Sequence, residues 1–568
     1  MKQHYIMPVG VDDFRQVREE YYYVDKTDFI KSLIDGHSKA TLITRPRRFG
    51  KTLALSMLYY FFTMENAEEN RVLFEGCNIE KAGEKYMAKQ GSMPTVFLSL
   101  KDIKQSKYPN MIAKFSSLMQ DLYLSNKYLL ERGCLDDSEK KYFISVIDRK
   151  ASDVDLQDSL KKLTTWLNRY HKKPALVLID EYDAPIQYAF DNGYYDDAIT
   201  FMRNFLSAVL KSNPDLDFAV LTGVLRIAKE SIFSSLNNLK VSSLISGKYA
   251  ESMGFTEKEI ERIVKDFNAT DKLAQIKEWY DGYSFAGTNV YNPWSVINYF
   301  DNDCRPSIYW LNTSGNSIVT ELLKRTDKEQ AKELRSLLQG GSVSATIDEG
   351  VIYTDIYKNR NALYTMLLTT GYLTISTEHD AQIMEDIIDL RIPNREVRSV
   401  YKKEIVNRID EMDGSPNLIY LLKALLSGDA EVFSEKLSDY LLTLSSYYDT
   451  ANKESFYHGF ILGLTALLTP DYKIVSNRES GYGRFDIAIL PCKNRNNAVI
   501  MEFKVAKSEA ELPQKAKTAL SQIESMEYMT NLKNENIEQI WQYGISFCGK
   551  KCCIESKSLP RTRGFFVC

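Results

Sequence analysis

The sequence predicts an α/β protein made of two separate α/β units with a mainly helical stretch between them. Three observations predict it. In the first part of the chain, short apolar runs alternate with helical periodicity, as in a parallel sheet covered by helices. In the middle, helical spacing is broken by aromatic-rich stretches such as Trp279–Phe285. From Lys453 a second order begins: helix, strand, strand, strand, helix, strand. At 568 residues the chain is too long for one core, since domains commonly run to roughly 100–200 residues. The expected division is 1–250, 251–400 and 401–568.

Ala40–Thr44 (ATLIT) is a short apolar run ending at a turn, hence a buried strand. Lys51–Phe62 carries Leu53, Met57, Leu58 and Phe61 at helical spacing. Thr95–Leu100 reads as a second strand, Asn110–Leu130 as a helix, Ala175–Ile179 as a third strand and Phe218–Thr222 as a fourth. In the last unit the elements are helix Lys453–Leu468, strands Tyr472–Ser476, Arg484–Leu490 and Ala498–Phe503, helix Pro513–Met529 and strand Ile540–Phe547.

Bulk properties exclude several classes. A net charge of −4 gives no global attraction to nucleic acid. The last residues, Lys550–Cys568, hold Lys550, Lys551, Lys557, Arg561 and Arg563 against Glu555 alone. They are either a solvated basic tail or a phosphate-contacting edge. No segment approaches the ~20 apolar residues that span a bilayer. Met1–Gly10 lacks a signal pattern. A cytoplasmic protein with no membrane partner is expected. Cys548, Cys552 and Cys553 cluster without a His or a second Cys pair, so reduced thiols are expected rather than zinc.

Between the first strand and the first helix stand Arg45, Pro46, Arg47, Arg48, Phe49, Gly50, Lys51 and Thr52. A loop ending Gly-Lys-Thr at a helix start binds phosphate through backbone N–H groups aided by the helix dipole. Lys51 would reach the β- and γ-phosphates, and Thr52 would ligate Mg²⁺. Gly-Lys-Ser/Thr alone arises about 0.3 times by chance in such a length; its place between strand and helix gives it weight. Arg45 stands where the usual motif has its first Gly, which questions the loop's backbone conformation. Arg47 and Arg48 contact either phosphate or surface carboxylates. Independently, the apolar strand Ala175–Ile179 ends in Asp180-Glu181, a Walker B pattern. Asp180 would hold Mg²⁺, and Glu181 would orient and activate the attacking water. The strand Thr95–Leu100, between these motifs in sequence, points to the P-loop division with an added central strand and a catalytic Glu. Thr222 is placed as a polar sensor of the γ-phosphate. Arg226 would supply transition-state charge, from this subunit or from a neighbour in a homo-oligomer.

These residues carry a resemblance. Pro8-Val9-Gly10 with Phe14, then Tyr23–Thr27, then RPRRFGKT, resemble the opening of the AAA-ATPase-like family of many gut and anaerobic bacteria. LIDEYDAPI (Leu178–Ile186), SIFSSLNNL (Ser231–Leu239), GFT (Gly254–Thr256), WYDGYSF (Trp279–Phe285) and YNPWS (Tyr291–Ser295) follow in the family's order. In that family the Arg-for-Gly substitution belongs to the pattern. The resemblance implies a P-loop fold of the AAA-like division binding ATP and Mg²⁺, with Tyr23–Thr27 near the adenine. Members commonly carry a C-terminal PD-(D/E)XK nuclease-like domain. The chain from about residue 390, including Ile392–Val397 (IPNREV), resembles that restriction-endonuclease-like domain as well.

The second site also reads from its chemistry. Phosphodiester hydrolysis needs divalent metal and an activated water. Asp486 lies on one strand, and Glu502 and Lys504 end the next. Two apart, Glu502 and Lys504 share one strand face. Asp486 and Glu502 would hold Mg²⁺ or Mn²⁺, and Lys504 would orient the water or stabilise developing charge. Phe485 replaces the Pro of the named motif. Glu479 and Glu454 are either further ligands or solvated carboxylates. Gln522 and Tyr528 resemble a supporting Gln/Tyr pair or form a helix surface. His458 reads as a satisfied histidine.

Two functions follow from different classes. One is an ATPase whose nucleotide state gates a metal-dependent nuclease on DNA, less readily RNA. The other is a signal-transducing P-loop ATPase whose nuclease-like domain only binds nucleic acid or a protein partner.

Overall fold

The computed structural model describes residues 5–131, 133–226, 239–245, 248–310, 333–334, 336–350, 359–376, 387–413, 418–444, 454–469, 471–476, 479–480, 483–492, 497–525 and 537–560. They form two compact units: Met1–Ile318 with Val343–Arg398, and Val319–Ser342 with Ser399–Cys568.

The first unit is built on five strands: β1 (Ala40–Thr44), β2 (Thr95–Ser99), β3 (Ala175–Asp180), β4 (Leu216–Gly223) and β5 (Leu239–Ser242). Their spatial order is β2-β3-β4-β1-β5, with every pairing parallel. Every residue of β1 and β3 is buried, as apolar runs covered on both faces must be. Ile43, Leu176, Leu178 and Val220 face a core shared with Phe14, Leu55, Leu58 and Phe62. Helices Asp153–His171 and Tyr195–Leu210 pack against each other and lie along β3 and β4 respectively. The sheet has the expected added central strand: β4 stands between β1 and β3, although it follows both in sequence, and β2 lies at the sheet edge. Chain order does not fix lateral order in a parallel sheet, because each crossover helix can carry the chain past a neighbour.

Most of the middle stretch, 251–318 and 343–398, lies inside this first unit, and 319–342 belong to the second. Helices Glu257–Asp266, Leu273–Tyr280 and Pro293–Asp301 share an aromatic core of Tyr280, Tyr291, Tyr299 and Phe300. Thr256 and Glu259 cap the first of them reciprocally. The stretch is less helical than its periodicity predicts. Tyr283–Phe285 and Thr288–Val290 form an antiparallel hairpin. Its two turn residues, Ala286 and Gly287, both take positive φ, the conformation that matches strand twist in a two-residue turn. Val343–Thr346, Ile387–Arg391 and Thr374–Ile375 add a small antiparallel sheet.

The second unit holds β6 (Tyr472–Ser476), β7 (Ile487–Pro491), β8 (Asn497–Val505), β9 (Gln539–Cys548) and β10 (Lys551–Pro560), adjacent in that order. Only β8 and β9 pair in parallel, and helix Leu512–Ser525 supplies their crossover. Alternation sorts the side chains. Ile487, Ile489, Val499, Met501 and Phe503 join the core of helices Leu418–Ser427, Ala430–Leu444 and Glu454–Thr465. Ala488, Ala498 and Ile500 face Ile523 of the crossover helix. β10 was not expected. The polar run Lys551–Pro560 pairs along its whole length with β9, and Lys551 and Lys557 meet Glu509 and Glu524 at 2.6 and 2.5 Å. Arg561 and Arg563 lie outside the described residues. Among the described residues no helix is long and apolar enough to cross a membrane.

Candidate functional site

The phosphate-loop residues occupy the turn from β1 into helix Lys51–Phe62, at the carboxyl end of the parallel strands. Residues 47–52 border a cavity of about 660 Å³, with Glu181 and the aromatic residues Tyr22, Tyr23 and Trp294 also on its wall. Three side chains converge beneath the loop. Thr52 Oγ1 donates to Asp180 Oδ2 at 2.8 Å, and Thr222 Oγ1 donates to Asp180 Oδ1 at 2.6 Å. Ser99 Oγ stands 3.5 Å from Asp180 Oδ2. Asp180 is fully buried, and burial raises its pKa above the usual carboxylate range against the pull of the Thr222 and Thr52 hydroxyls. Lys51 is buried as well, its ammonium donating to the Arg45 and Pro46 carbonyls at 3.1 and 3.0 Å. Burial lowers its pKa, opposed by the charges of Glu181, Asp180 and Asp183. A hydroxyl and a carboxylate oxygen in contact at a helix start suit a hard divalent cation such as Mg²⁺.

Glu181 has φ 48°, the left-handed region that a non-glycine residue adopts at a cost. Its N–H faces Thr222 Oγ1 at 3.4 Å, and its side chain borders the cavity. Asp183 escaped the sequence reading. It is buried and accepts the N–H groups of Val224 and Leu225 at 2.8 and 2.9 Å, tying the turn after β3 to the turn after β4. The only signal was a further acid two residues beyond Glu181.

Three of the expected residues, Arg45, Thr222 and Arg226, stand off the cavity wall. Arg45 does not face phosphate: its guanidinium is fully buried and donates to the carbonyls of Thr44, Ser242, Ser243 and Tyr249 and to Ser242 Oγ. It also lies 5.1 Å from the Phe285 ring centre. Positive φ falls at Arg48 (72°) and Gly50 (81°), not at Arg45, so the missing glycine costs the loop nothing. Thr222 lies under Asp180 and off the cavity wall, so any sensing runs through Asp180. Arg226 also lies off the cavity wall. The remaining loop residues divide. Arg47 Nη2 donates to Gln187 Oε1 at 2.8 Å, Arg48 stacks on Trp294, and Phe49 packs edge-on to Tyr283. Of Tyr23–Thr27, Tyr23, Val24 and Lys26 border the cavity. Asp25 instead accepts from Thr27 and from the Asn78 N–H.

In the second unit the β7–β8 register pairs Ile487 with Met501, which sets Asp486 opposite Glu502. The Phe503 N–H donates to Asp486 Oδ2 at 2.7 Å, and Lys504 Nζ donates to Glu502 Oε1 at 3.0 Å. Burial raises the Asp486 pKa, countered by the Phe503 N–H and the charges of His458 and Lys504. The Glu502 side chain is 5% exposed and that of Lys504 26%. His458 Nε2 lies 3.0 Å from the Asp486 carbonyl and 3.1 Å from Ser476 Oγ, so it braces the backbone, as expected. Gln522 sits part-buried on the crossover helix. The side chains of Glu454 and Glu479, and Tyr528 altogether, lie outside the described residues. Among the described residues no three His, Cys, Asp or Glu side chains form a ready metal cluster. Two oxygen ligands nonetheless suit Mg²⁺, which commonly takes one or two carboxylates and completes its shell with water and phosphate.

Comparison with known proteins finds a family model matching a stretch of each unit. Residues 8–233 match the family model described as predicted AAA-ATPase, and residues 452–557 match the PD-(D/E)XK nuclease superfamily. A relative from Azotobacter chroococcum mcd 1, an uncharacterized protein in the vnfD 5′ region, is 26% identical over 410 residues, 71% of this chain and 70% of its own. The chain therefore joins an AAA-ATPase-like domain to a PD-(D/E)XK nuclease superfamily domain.

Proposed function

We propose that this protein binds and hydrolyses ATP with Mg²⁺, and that its nucleotide state controls a metal-dependent nuclease acting on DNA in the cytoplasm. The observation that carries the reading is the convergence of Thr52, Thr222 and Asp180 under a loop whose lysine is buried beside them. In this reading the division at 1–250, 251–400 and 401–568 is one of roles laid over two compact units.

Lys51 would exchange its two carbonyl partners for the β- and γ-phosphates. Thr52 and Asp180 would hold the magnesium ion, which supplies charge neutralisation at the transferring phosphoryl group. Thr222 fixes the orientation of Asp180. Glu181, on the cavity wall, would orient the attacking water and take its proton. The apolar wall near Tyr23 would receive the base. Arg226 would act only from a neighbouring copy. At the second site Asp486 and Glu502 would hold Mg²⁺ or Mn²⁺, and Lys504 would place the water or stabilise charge on the phosphate.

Two assays test the reading. Phosphate release should fall at least about a hundredfold in Glu181→Gln, the scale of a lost general base, while ATP is still retained. Cleavage of single- or double-stranded DNA with Mg²⁺ or Mn²⁺ should vanish in Lys504→Ala. In a second reading the nuclease-like domain only binds nucleic acid or a protein partner. Equal inactivity of wild type and Lys504→Ala on DNA and RNA would select it.

A further inference from the structure

Three motifs of the middle stretch have no role in the function above: Trp279–Phe285, Tyr291–Ser295 and Ile392–Val397. The first two touch the phosphate loop, and the third holds them both. The Arg48 guanidinium carbon lies 3.9 Å from the centre of the Trp294 ring, and both side chains border the cavity. A guanidinium over an indole face is held by the attraction of its charge to the ring's negative face. A charge-assisted bond to phosphate is of comparable or greater strength, so phosphate competes for the same group.

Trp294 is fastened on its far side. Its indole N–H donates to the Tyr309 carbonyl at 3.1 Å. The neighbouring Ser295 hydroxyl donates to Glu396 Oε2 at 2.7 Å. Glu396 Oε1 accepts the N–H groups of Tyr309 and Trp310 at 2.7 and 2.9 Å. Glu396 is fully buried and lies in the first turn of helix Arg395–Asp413, along which the chain passes into the second unit at Ser399. The adjacent loop residue reaches the same place by a second route. Phe49 packs 5.0 Å from Tyr283, whose chain neighbour Gly282 lies against the Pro393 carbonyl. Asn394 Nδ2 donates to the Asp281 carbonyl at 2.9 Å. Two neighbouring loop residues thus each grip one motif, and both motifs are tied to the start of one helix.

We propose that Arg48 and Trp294 form a nucleotide sensor: ATP phosphate draws Arg48 off the indole, and Trp294 relays the change through Tyr309 and Glu396 to helix Arg395–Asp413. Trp294 is a positioning residue in this scheme, and the scheme rests on the loop's being the ATP site.

Hydrogen exchange of the full-length protein at saturating ATP·Mg²⁺ tests it, with ATP retention measured in parallel by equilibrium dialysis. In the wild type, ATP should change exchange at the Tyr309 and Trp310 amides at least threefold. Trp294→Phe and Arg48→Ala, saturated with ATP, should lose that response. A response that persists in both Trp294→Phe and Arg48→Ala overturns the sensor while leaving the ATP site standing. A wild type that retains ATP without any change at Tyr309 and Trp310 does the same. A wild type that retains no ATP overturns the nucleotide reading, and the sensor with it. Should Trp294→Phe fail to fold, Arg48→Ala alone decides.

Discussion

At the scale of single residues, two buried charges do different work. Arg45 occupies the place of a phosphate-loop glycine, yet its guanidinium supplies donors to the Ser242, Ser243 and Tyr249 carbonyls. Arg45→Ala leaves those buried acceptors unmatched. At about 1–3 kcal/mol each, the loss should exceed about 3 kcal/mol, read as a lower urea midpoint at unchanged slope. Glu396 titrates. Burial lifts its pKa from 4.5 to about 7, against the three hydrogen bonds it accepts from Ser295, Trp310 and Tyr309. The sign follows from linkage. Between those two values the folded state keeps a proton that the unfolded state has released, so stability falls as pH rises through the window and the loss is complete above about 7. The swing is on the order of 3 kcal/mol. A Gln amide oxygen can keep both N–H groups, and its NH₂ can donate to the Ser295 hydroxyl. Glu396→Gln should therefore flatten the fall in melting temperature between pH 5 and 8; an equal slope in both proteins would refute the assignment. Neither role was legible in the sequence. The position of Arg45 announced phosphate, and its true partners stand some two hundred residues away. Glu396 entered only as one letter of the IPNREV stretch.

At the scale of elements, what the sequence made legible was local. The helix at Lys51, the apolar strand ending in Asp180-Glu181 and the face shared by Glu502 and Lys504 follow from periodicity and spacing alone. Pairings between distant segments did not. β4 slipped between β1 and β3, and β10 was missed because a polar edge strand lacks the apolar alternation that marks a half-buried one. The same blindness hid the contact between the phosphate loop and helix Arg360–Thr370. That helix ends at Gly371 with φ 92°, where an added Cβ would stand 3.0 Å from Pro46 Cβ. Substitution there meets both backbone strain and the loop. Gly371→Ala should cost about 1–2 kcal/mol, the scale of one strained left-handed residue, and should weaken ATP retention. Asn at that position tolerates positive φ better but keeps the clash. If Gly371→Asn recovers stability without recovering ATP retention, the contact with Pro46 is separated from the backbone term.

At the scale of the whole molecule, the question is whether the two sites act on one another. ATP can bias the nuclease only by binding two arrangements of the chain with different affinity. Lys51 and Lys504 isolate the two ends. With Lys51→Ala, cleavage should lose its dependence on ATP and settle at one level across the titration. With Lys504→Ala, phosphate release should persist, because Lys504 pairs with Glu502 within its own unit. Reciprocity adds a sharper demand: if ATP tightens nucleic-acid binding by some factor, nucleic acid must tighten ATP binding by the same factor. Dialysis of ATP against Lys504→Ala, with and without a DNA duplex, measures that factor free of cleavage. A factor of one would mean that the two domains share a chain without sharing a conformational equilibrium. The change at helix Arg395–Asp413 would then have to serve some other partner of the second unit. A factor of about 5–150, the usual span of such coupling at about 1–3 kcal/mol, would make the nucleotide state the switch for nucleic-acid engagement. Removing Trp294 should then shrink the factor towards one while both separate affinities remain measurable.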